Sequence, residues 1–410
     1  MSTTTTPHTQ TAYKDTPIGK IPADWEVRRL GDFIEKIIGG GTPSRDIPEY
    51  WNGNINWATV KDFTNFNAYS TQETITELGL KNSSTNLIPK GTLITATRMA
   101  LGKAVKFEID VAINQDLKAI FPKNNLDTEY LYYWFENNLK FFENLGNGST
   151  VKGISLSDLK NLYFLAVPLP EQKRIAEVLS TWDKAIQLTE QLIRQKEQRK
   201  KWLMQNLLTG KMRLKGFSGE SQFRVLGKFI TEVSDRNKNG EIKNVLSVTN
   251  SKGFINQAEQ FEREVASADV SNYKIVRKGQ FAYNPSRVNV GSLDLLRKFD
   301  IGILSPMYVV FETDQKNLIP EYLYYLLKTN WFYGHIPMFV QGSVRDSLSF
   351  DGLCGMKFFI PSIEEQTAIA EVLQTAEKEI ELRKAKAEKL KEQKKGLMQS
   401  LLTGKKRLVN

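Results

Sequence analysis

Cysteine and histidine are nearly missing from this 410-residue chain: Cys354 is the only thiol, and His8 and His335 are the only imidazoles. One thiol closes no internal disulfide, and so few soft ligands assemble no zinc site or metal cluster by spacing. A Ser/His/Asp set is not credible with two histidines, one of them in the polar N-terminal stretch. No apolar run approaches the about 18 residues that a membrane-spanning helix needs. The opening MSTTTTPHTQ lacks the apolar core of a signal peptide, so residues 1–17 are expected to form a disordered tail. These absences point to a reducing, cytoplasmic setting with no membrane partner and no metal.

Charge is plentiful and unbalanced. Lys and Arg number 56 against 46 Asp and Glu, a formal net charge of +10. Such an excess favours a polyanionic partner, nucleic acid ahead of a mere solubility role, without identifying it. The length leaves room for two to three domains with sizeable cores.

The strongest signal is a helical stretch written twice. Glu171 to Leu214 begins EQKRIAEVLSTW and ends LMQNLLTGKMRL; Glu365 to Leu408 begins EQTAIAEVLQTA and ends LMQSLLTGKKRL, without a gap. About half of the aligned positions are identical. The period is close to half the chain, so the repeated unit is domain-sized and a solenoid is excluded. Pro168, Pro170 and Pro361 precede the copies, and Thr209-Gly210 and Thr403-Gly404 end them, with Gly suited to the left-handed position after a helix. Ile175, Leu179, Trp182, Ile186, Ile193, Leu203 and Leu207 follow steps of three and four or combinations of them. Ile369, Leu373, Ile380, Leu390, Leu397 and Leu401 do the same. This is a coiled-coil seam, weakened where Lys196 and Lys200 fall on it. Two helices each packed on its own domain would show a similar stripe.

The parts ahead of the helices share a weaker order. Lys90-Gly91 before TLITATR corresponds to Lys278-Gly279 before QFAYNPSR, and EYLYY occurs at Glu129 to Tyr133 and at Glu321 to Tyr325. Strands are expected over 54–60 and 91–97, and a helix over 126–139. The aromatic helices invite base stacking, but their helical spacing fits core packing better. Two module-plus-helix units can pack with helices antiparallel, which relates the modules by a two-fold axis like that of duplex DNA. Modules with different loops should read different sequences, giving a split, asymmetric target.

The doubled EQ-x-x-IAEVL and LMQ-x-LLTGK-x-RL helices, the entry IPADWEVRRLGDF and the loops GGGTPS and GNGS resemble the specificity subunit of type I restriction-modification systems. The likeness covers nearly the whole chain. It implies an α+β fold with two target recognition domains in tandem, each followed by a long helix. The helices are expected to pack as an antiparallel coiled coil with pseudo-two-fold symmetry. The expected layout is a tail over 1–17, recognition domains over 18–166 and 215–359, and helical spacers over 167–214 and 360–410. The resemblance further implies a non-catalytic subunit that selects a DNA site. Its partners would be two adenine-N6 methyltransferase subunits, which bind S-adenosylmethionine, and restriction subunits, which use ATP and Mg. No cofactor is expected in this chain.

The residues agree with a chain that lacks its own active site. Asn284-Pro285-Ser286-Arg287 lacks the second Pro and the aromatic residue of an adenine-methyltransferase loop, and Gly39 to Gly41 fails the dinucleotide pattern. Thr209-Gly210-Lys211 and Thr403-Gly404-Lys405 lack the upstream Gly and following hydroxyl of a phosphate loop. DNA contacts are expected from loops, because Arg and Lys read guanine, Asn and Gln read adenine, and hydroxyls hold phosphate. In the first module the candidates are Thr42, Ser44, Arg45, Lys61, Arg98, Lys103, Ser149 and Lys152. In the second they are Asn250, Ser251, Lys252, Asn284, Ser286, Arg287, Asn289, Ser343 and Arg345. For each, a solvated charge or a turn-stabilising hydroxyl is the plainer explanation. A stand-alone bipartite DNA-binding protein and a self-sufficient methyltransferase or nuclease are the alternatives.

Overall fold

The computed structural model describes residues 12–145, 153–218, 222–257, 269–340 and 347–408. The chain divides into two compact units, residues 1–189 with 386–410, and residues 190–385. Neither boundary falls between the segments expected from chain order. Each long helix is instead divided, so that the first unit includes the end of the second helix.

In the first unit, four antiparallel strands form a sheet in the order Ile34–Gly39, Leu117–Pro122, Leu93–Ala96, Ala104–Lys106. A second, mixed sheet carries Glu73–Ile75, Trp51–Ala58, Val111–Ile113 and Asn86–Ile88, with one parallel pairing. The tail is shorter than expected: Tyr13–Thr16 pairs with Gly19–Pro22, and Tyr13 reaches the Gly404 carbonyl at 3.0 Å. Backbone pairing by a sequence of low apolar content is what composition alone misses.

The EYLYY helix is core. Thr128–Asn137 is capped by Asp127, whose side chain accepts from the Tyr130 N–H at 2.9 Å, and it buries Tyr130, Leu131, Tyr133, Trp134 and Phe135. Spacings of three and four put these side chains on one broad face, which packs on Phe33, Phe142 and Phe164. Burying such a side chain contributes about 1.5–3 kcal/mol, and rings at 0–2% exposure such as Tyr130, Tyr133 and Phe135 offer no face to a base.

The second unit repeats the first sheet. Ile230–Val233, Val309–Thr313, Phe281–Tyr283 and Leu293–Leu295 stand in the same relative order and are again antiparallel. A short ladder closes each module at its exit: Glu26–Arg29 with Tyr163–Ala166, and Phe223–Val225 with Lys357–Phe359. The second module differs beyond this frame. Among its described residues, Leu246–Thr249 pairs with Gly253–Asn256 and Lys274–Arg277 with Ile301–Leu304, as separate two-stranded ladders.

The long helices run over Leu169–Leu207 and Ile363–Leu402. In the first unit, Ile175 and Leu179 share a core with Met398, Leu401 and Leu402. In the second, Leu207 and Leu208 share one with Ile369 and Leu373. In each unit the start of one helix therefore meets the end of the other. Ile193 and Ile380 are also buried, whereas Trp182, Ile186, Leu203, Leu390 and Leu397 are half-buried.

The repeated polar letters have matching duties. Gln172, fully buried, accepts from the Asp127 N–H and donates to the Asn125 and Val167 carbonyls. Gln366 does the same with Ile319, Asn317 and Pro361. Glu171 receives Arg407 at 2.7 and 2.8 Å, and Glu365 receives Arg213 at 2.5 Å. Tyr133 donates to Asp183, which Lys394 also meets at 2.7 Å; Tyr325 donates to Glu377, which Lys200 meets at 2.8 Å. Lys196 meets Glu379 at 3.0 Å. Lys196 and Lys200 are thus matched by carboxylates, a pairing hidden from a stripe of apolar letters. Such partly exposed pairs contribute at most about 1 kcal/mol each, so they set register more than stability. After the helices Gly210 and Gly404 adopt φ of 70° and 72°, the left-handed turn in which Gly alone is free of strain.

Candidate nucleic-acid interface

Strand register gathers the first module's candidates at one end of its antiparallel sheet. Lys118 stands opposite Gly39 and Leu117 opposite Ala96, so the loops after Gly39, after Ala96 and before Leu117 emerge together. Gly40 lies so close to the Ile113 carbonyl that a Cβ there would stand 1.8 Å from its oxygen. The Gly run is therefore a close backbone crossing. Beyond it Thr42 is exposed and donates to the Gln115 side chain at 2.7 Å. Arg98, 61% exposed, lies 3.9 Å from Asp116 and forms a bridge with Gly153.

Two other first-module candidates, Arg45 and Lys103, are committed internally. Arg45 lies over Trp51 at 3.7 Å and its fork is closed by Glu73 at 2.5 and 3.0 Å. The Arg45 guanidinium holds the Glu73 carboxyl below the ordinary carboxylate range. The Lys103 amine is half-buried and donates to the Phe63 carbonyl, tying its loop to the module instead of presenting a cation. Ser44 is exposed, its hydroxyl 3.3 Å from the Asp46 N–H, and Lys61 is exposed on a short turn capped by Thr59. Lys118, not foreseen, joins this sheet end: its amine donates to the Gln115 and Leu117 carbonyls, and burial pulls its pKa down.

The second module uses the same sheet end. Tyr283 pairs with Leu293 and Val309, and the 284–291 loop follows directly. Ser286, Arg287 and Asn289 are exposed on it. Asn284 is buried and spent on the turn, accepting from the Ser286 N–H at 3.1 Å with its amide 3.4 Å from the Met307 sulfur. Both loops are pinned alike: Ile154 donates to the Thr97 carbonyl and Leu348 to the Pro285 carbonyl. Asn250, Ser251 and Lys252 form the exposed turn of the Leu246–Asn256 hairpin, and Asn250 closes on Gly291, where a Cβ would stand 2.2 Å from its carboxamide oxygen. Ser149, Lys152, Ser343 and Arg345 lie outside the described residues.

Beside the hairpin turn is a groove of about 710 Å³, lined by Asn250, Ser251 and Lys252 together with Arg297, Lys298 and Lys328. The last three were missed because they follow a strand or end a helix and no turn-former flags them. Burial lowers the Lys328 pKa. Among the described residues no group of His, Cys, Asp and Glu could hold a metal ion, and no helix is long and apolar enough to cross a membrane.

The duplicated sheet, exit ladder and helix nodes have a counterpart among known proteins. The family model described as the type I restriction modification DNA specificity domain matches residues 22–198 and again 228–392. The chain belongs to this family. The two family matches each include one sheet module and most of the helix that follows it. The chain is 37% identical over 186 residues to the type I restriction enzyme MjaIX specificity subunit of Methanocaldococcus jannaschii, covering 43% of this chain and 42% of that one. It is 31% identical over 202 residues to the EcoR124I/EcoR124II specificity subunit of Escherichia coli, covering 46% and 48%. The match thus spans less than half the length of these two relatives. The MjaVIII specificity subunit of M. jannaschii is 24% identical over 95% of both chains. In fold, the chain is similar to a type I system S subunit from M. genitalium, with a TM-score of 0.57, 15% identity, and coverage of 92% and 96%. A second chain, from a structure concerned with assembly and conformational transition of a type I system, gives a TM-score of 0.55 at 14% identity, covering 94% and 99%. The α+β architecture with two specificity domains is shared with both. The relatives are named specificity subunits of type I restriction enzymes.

Proposed function

We propose that this chain reads a split, asymmetric site in double-stranded DNA, one half-site per module, and that it scaffolds enzymes it does not itself contain. The observation that carries this is the pairing of one sheet frame, present twice in the same strand order, with loops of different sequence at the same sheet end. A shared frame gives two reading heads a common geometry; unlike loops give them unlike targets.

The long helices act in this proposal as an antiparallel coiled coil with pseudo-two-fold symmetry, setting the spacer between half-sites. Their lengths of 39 and 40 residues correspond to ~60 Å at ~1.5 Å per residue, against ~34 Å for one turn of DNA. Two adenine-N6 methyltransferase subunits binding S-adenosylmethionine, and restriction subunits using ATP and Mg, are the proposed partners, in the cytoplasm.

Co-expression with a methyltransferase subunit, followed by sequencing of methylated adenines, tests the proposal. The expected motif has two defined halves and an undefined spacer. The chain alone should be poorly soluble and without methylation activity. Adenine methylation by the isolated chain with S-adenosylmethionine would overturn the division of labour. Specific binding of a two-part site with no methyltransferase able to assemble would favour a stand-alone bipartite binder.

A further inference from the structure

The two modules place different cations on one equivalent ring. Tyr132 and Tyr324 occupy the same position in the two EYLYY segments. Over Tyr132 stands the Lys106 amine, 5.3 Å from the centroid and paired with Glu129. Over Tyr324 stands the Arg297 guanidinium at 3.9 Å, and among the described residues no carboxylate comes within salt-bridge distance of it, although Glu377 lies near enough to feel its charge. Of the three acids that line the groove, Glu381 makes no ion pair with Arg297 and the other two are engaged elsewhere. Asp294 accepts from the Phe254 N–H at 3.0 Å, and Glu377 takes Lys200 and the Tyr325 hydroxyl. Arg45 shows the opposite case, stacked on Trp51 but with its fork closed by Glu73.

A guanidinium laid on a ring loses most of its rotational freedom while keeping its N–H edges outward. Arg297 is exposed and borders the groove with Lys252, Lys298 and Asn250. A planar donor fork flanked by two flexible amines fits a base edge with two acceptors beside phosphates, the edge that guanine presents in the major groove.

We propose that Arg297, oriented by Tyr324, is a specificity-determining residue of the second module and reads a guanine through the groove beside the 250–252 turn. Lys252 and Lys298 contact phosphate there. This rests on the DNA-recognition function proposed above.

The test uses the full chain co-expressed with its methyltransferase subunit, carrying Arg297→Ala, Arg297→Lys or Tyr324→Phe, with methylated motifs mapped for each. Both Arg297 variants should lose discrimination at one guanine of one half-site by about tenfold to a hundredfold. The other half-site and the spacer should be unchanged, which also reports intact folding. Tyr324→Phe keeps the platform and should keep the motif. Normal discrimination by Arg297→Lys, or uniform weakening on all DNA, would reduce Arg297 to a phosphate contact and overturn the proposal. An unchanged motif in Arg297→Ala would overturn it too. If the unaltered chain yields no two-part motif, the recognition function itself fails; if it does and the variants match it, only the role of Arg297 fails.

Discussion

Replacing Arg407 by Met should loosen the first unit selectively, and the structure sets the size of the effect. The guanidinium is 7% exposed and grips Glu171, itself 3% exposed, at 2.7 and 2.8 Å, and the exposed Asp24 at 2.8 Å. Without Arg407 the Glu171 carboxylate keeps only the Trp25 indole N–H at 3.1 Å and the Leu408 N–H at 3.4 Å. A buried carboxylate stripped of its cation costs about 3–5 kcal/mol. Asp24→Asn, at 56% side-chain exposure, should cost below about 1 kcal/mol. At about 1.4 kcal/mol per tenfold, Arg407→Met should speed hydrogen exchange about a hundredfold or more in peptides over 169–180 and 398–408. Adding Glu171→Gln should recover much of that loss, since no bare charge remains. Arg213→Met should act likewise on the second unit, over 363–375, through Glu365. Equal costs for Asp24→Asn and Arg407→Met, or unchanged exchange in those peptides, would refute the buried-clasp argument.

Arg98→Ala should weaken binding or alter one half-site without changing thermal stability, because its guanidinium is exposed and only loosely near Asp116; Lys103→Met should do the reverse, lowering Tm through the lost tie to Phe63, and DNA binding beside melting curves separates the two. Acid should unlock the Arg45–Glu73 clamp. The folded pKa of Glu73 lies below its ordinary 4.5, so its stabilisation is complete above that value and fades as pH falls through the lower folded value. Glu73→Gln should remove this acid transition from the fluorescence of Trp51 and Trp57, and an identical titration in the variant would count against it.

The frame was legible because it is written in patterns of spacing. Periodic apolar letters in 171–214 and 365–408 mark long helices, and EYLYY at helical spacing marks a core face that the structure buries on both occasions. The unit boundaries were not legible, because a chain-ordered division cannot see that Leu401 and Leu402 complete a core begun by Ile175 and Leu179. Loop chemistry was half legible. Gly, Asn and Ser correctly flagged turns, but the same letters cannot tell an exposed Arg287 from a buried Asn284 one turn away. Arg45 and Arg297 make the point sharply. Each is an arginine stacked on an aromatic ring, and only the distant Glu73 distinguishes them.

The duplicated nodes also explain which parts of the two copies can diverge. In the first unit Glu171 is answered by Arg407, and in the second Glu365 by Arg213, so the residue that completes each pair comes from the other helix copy. Tyr133, Asp183 and Lys394 form one polar node, and Tyr325, Glu377 and Lys200 form its counterpart. A substitution at one member strands a buried or half-buried charge, at a cost of several kcal/mol where burial is deepest. The exposed positions of the sheet-end loops carry no such obligation: Arg287 and Asn289 can change without orphaning a core group. Similar helices beside dissimilar loops therefore follow from burial itself, and a chain built this way can vary its exposed loop positions while its framework stays fixed.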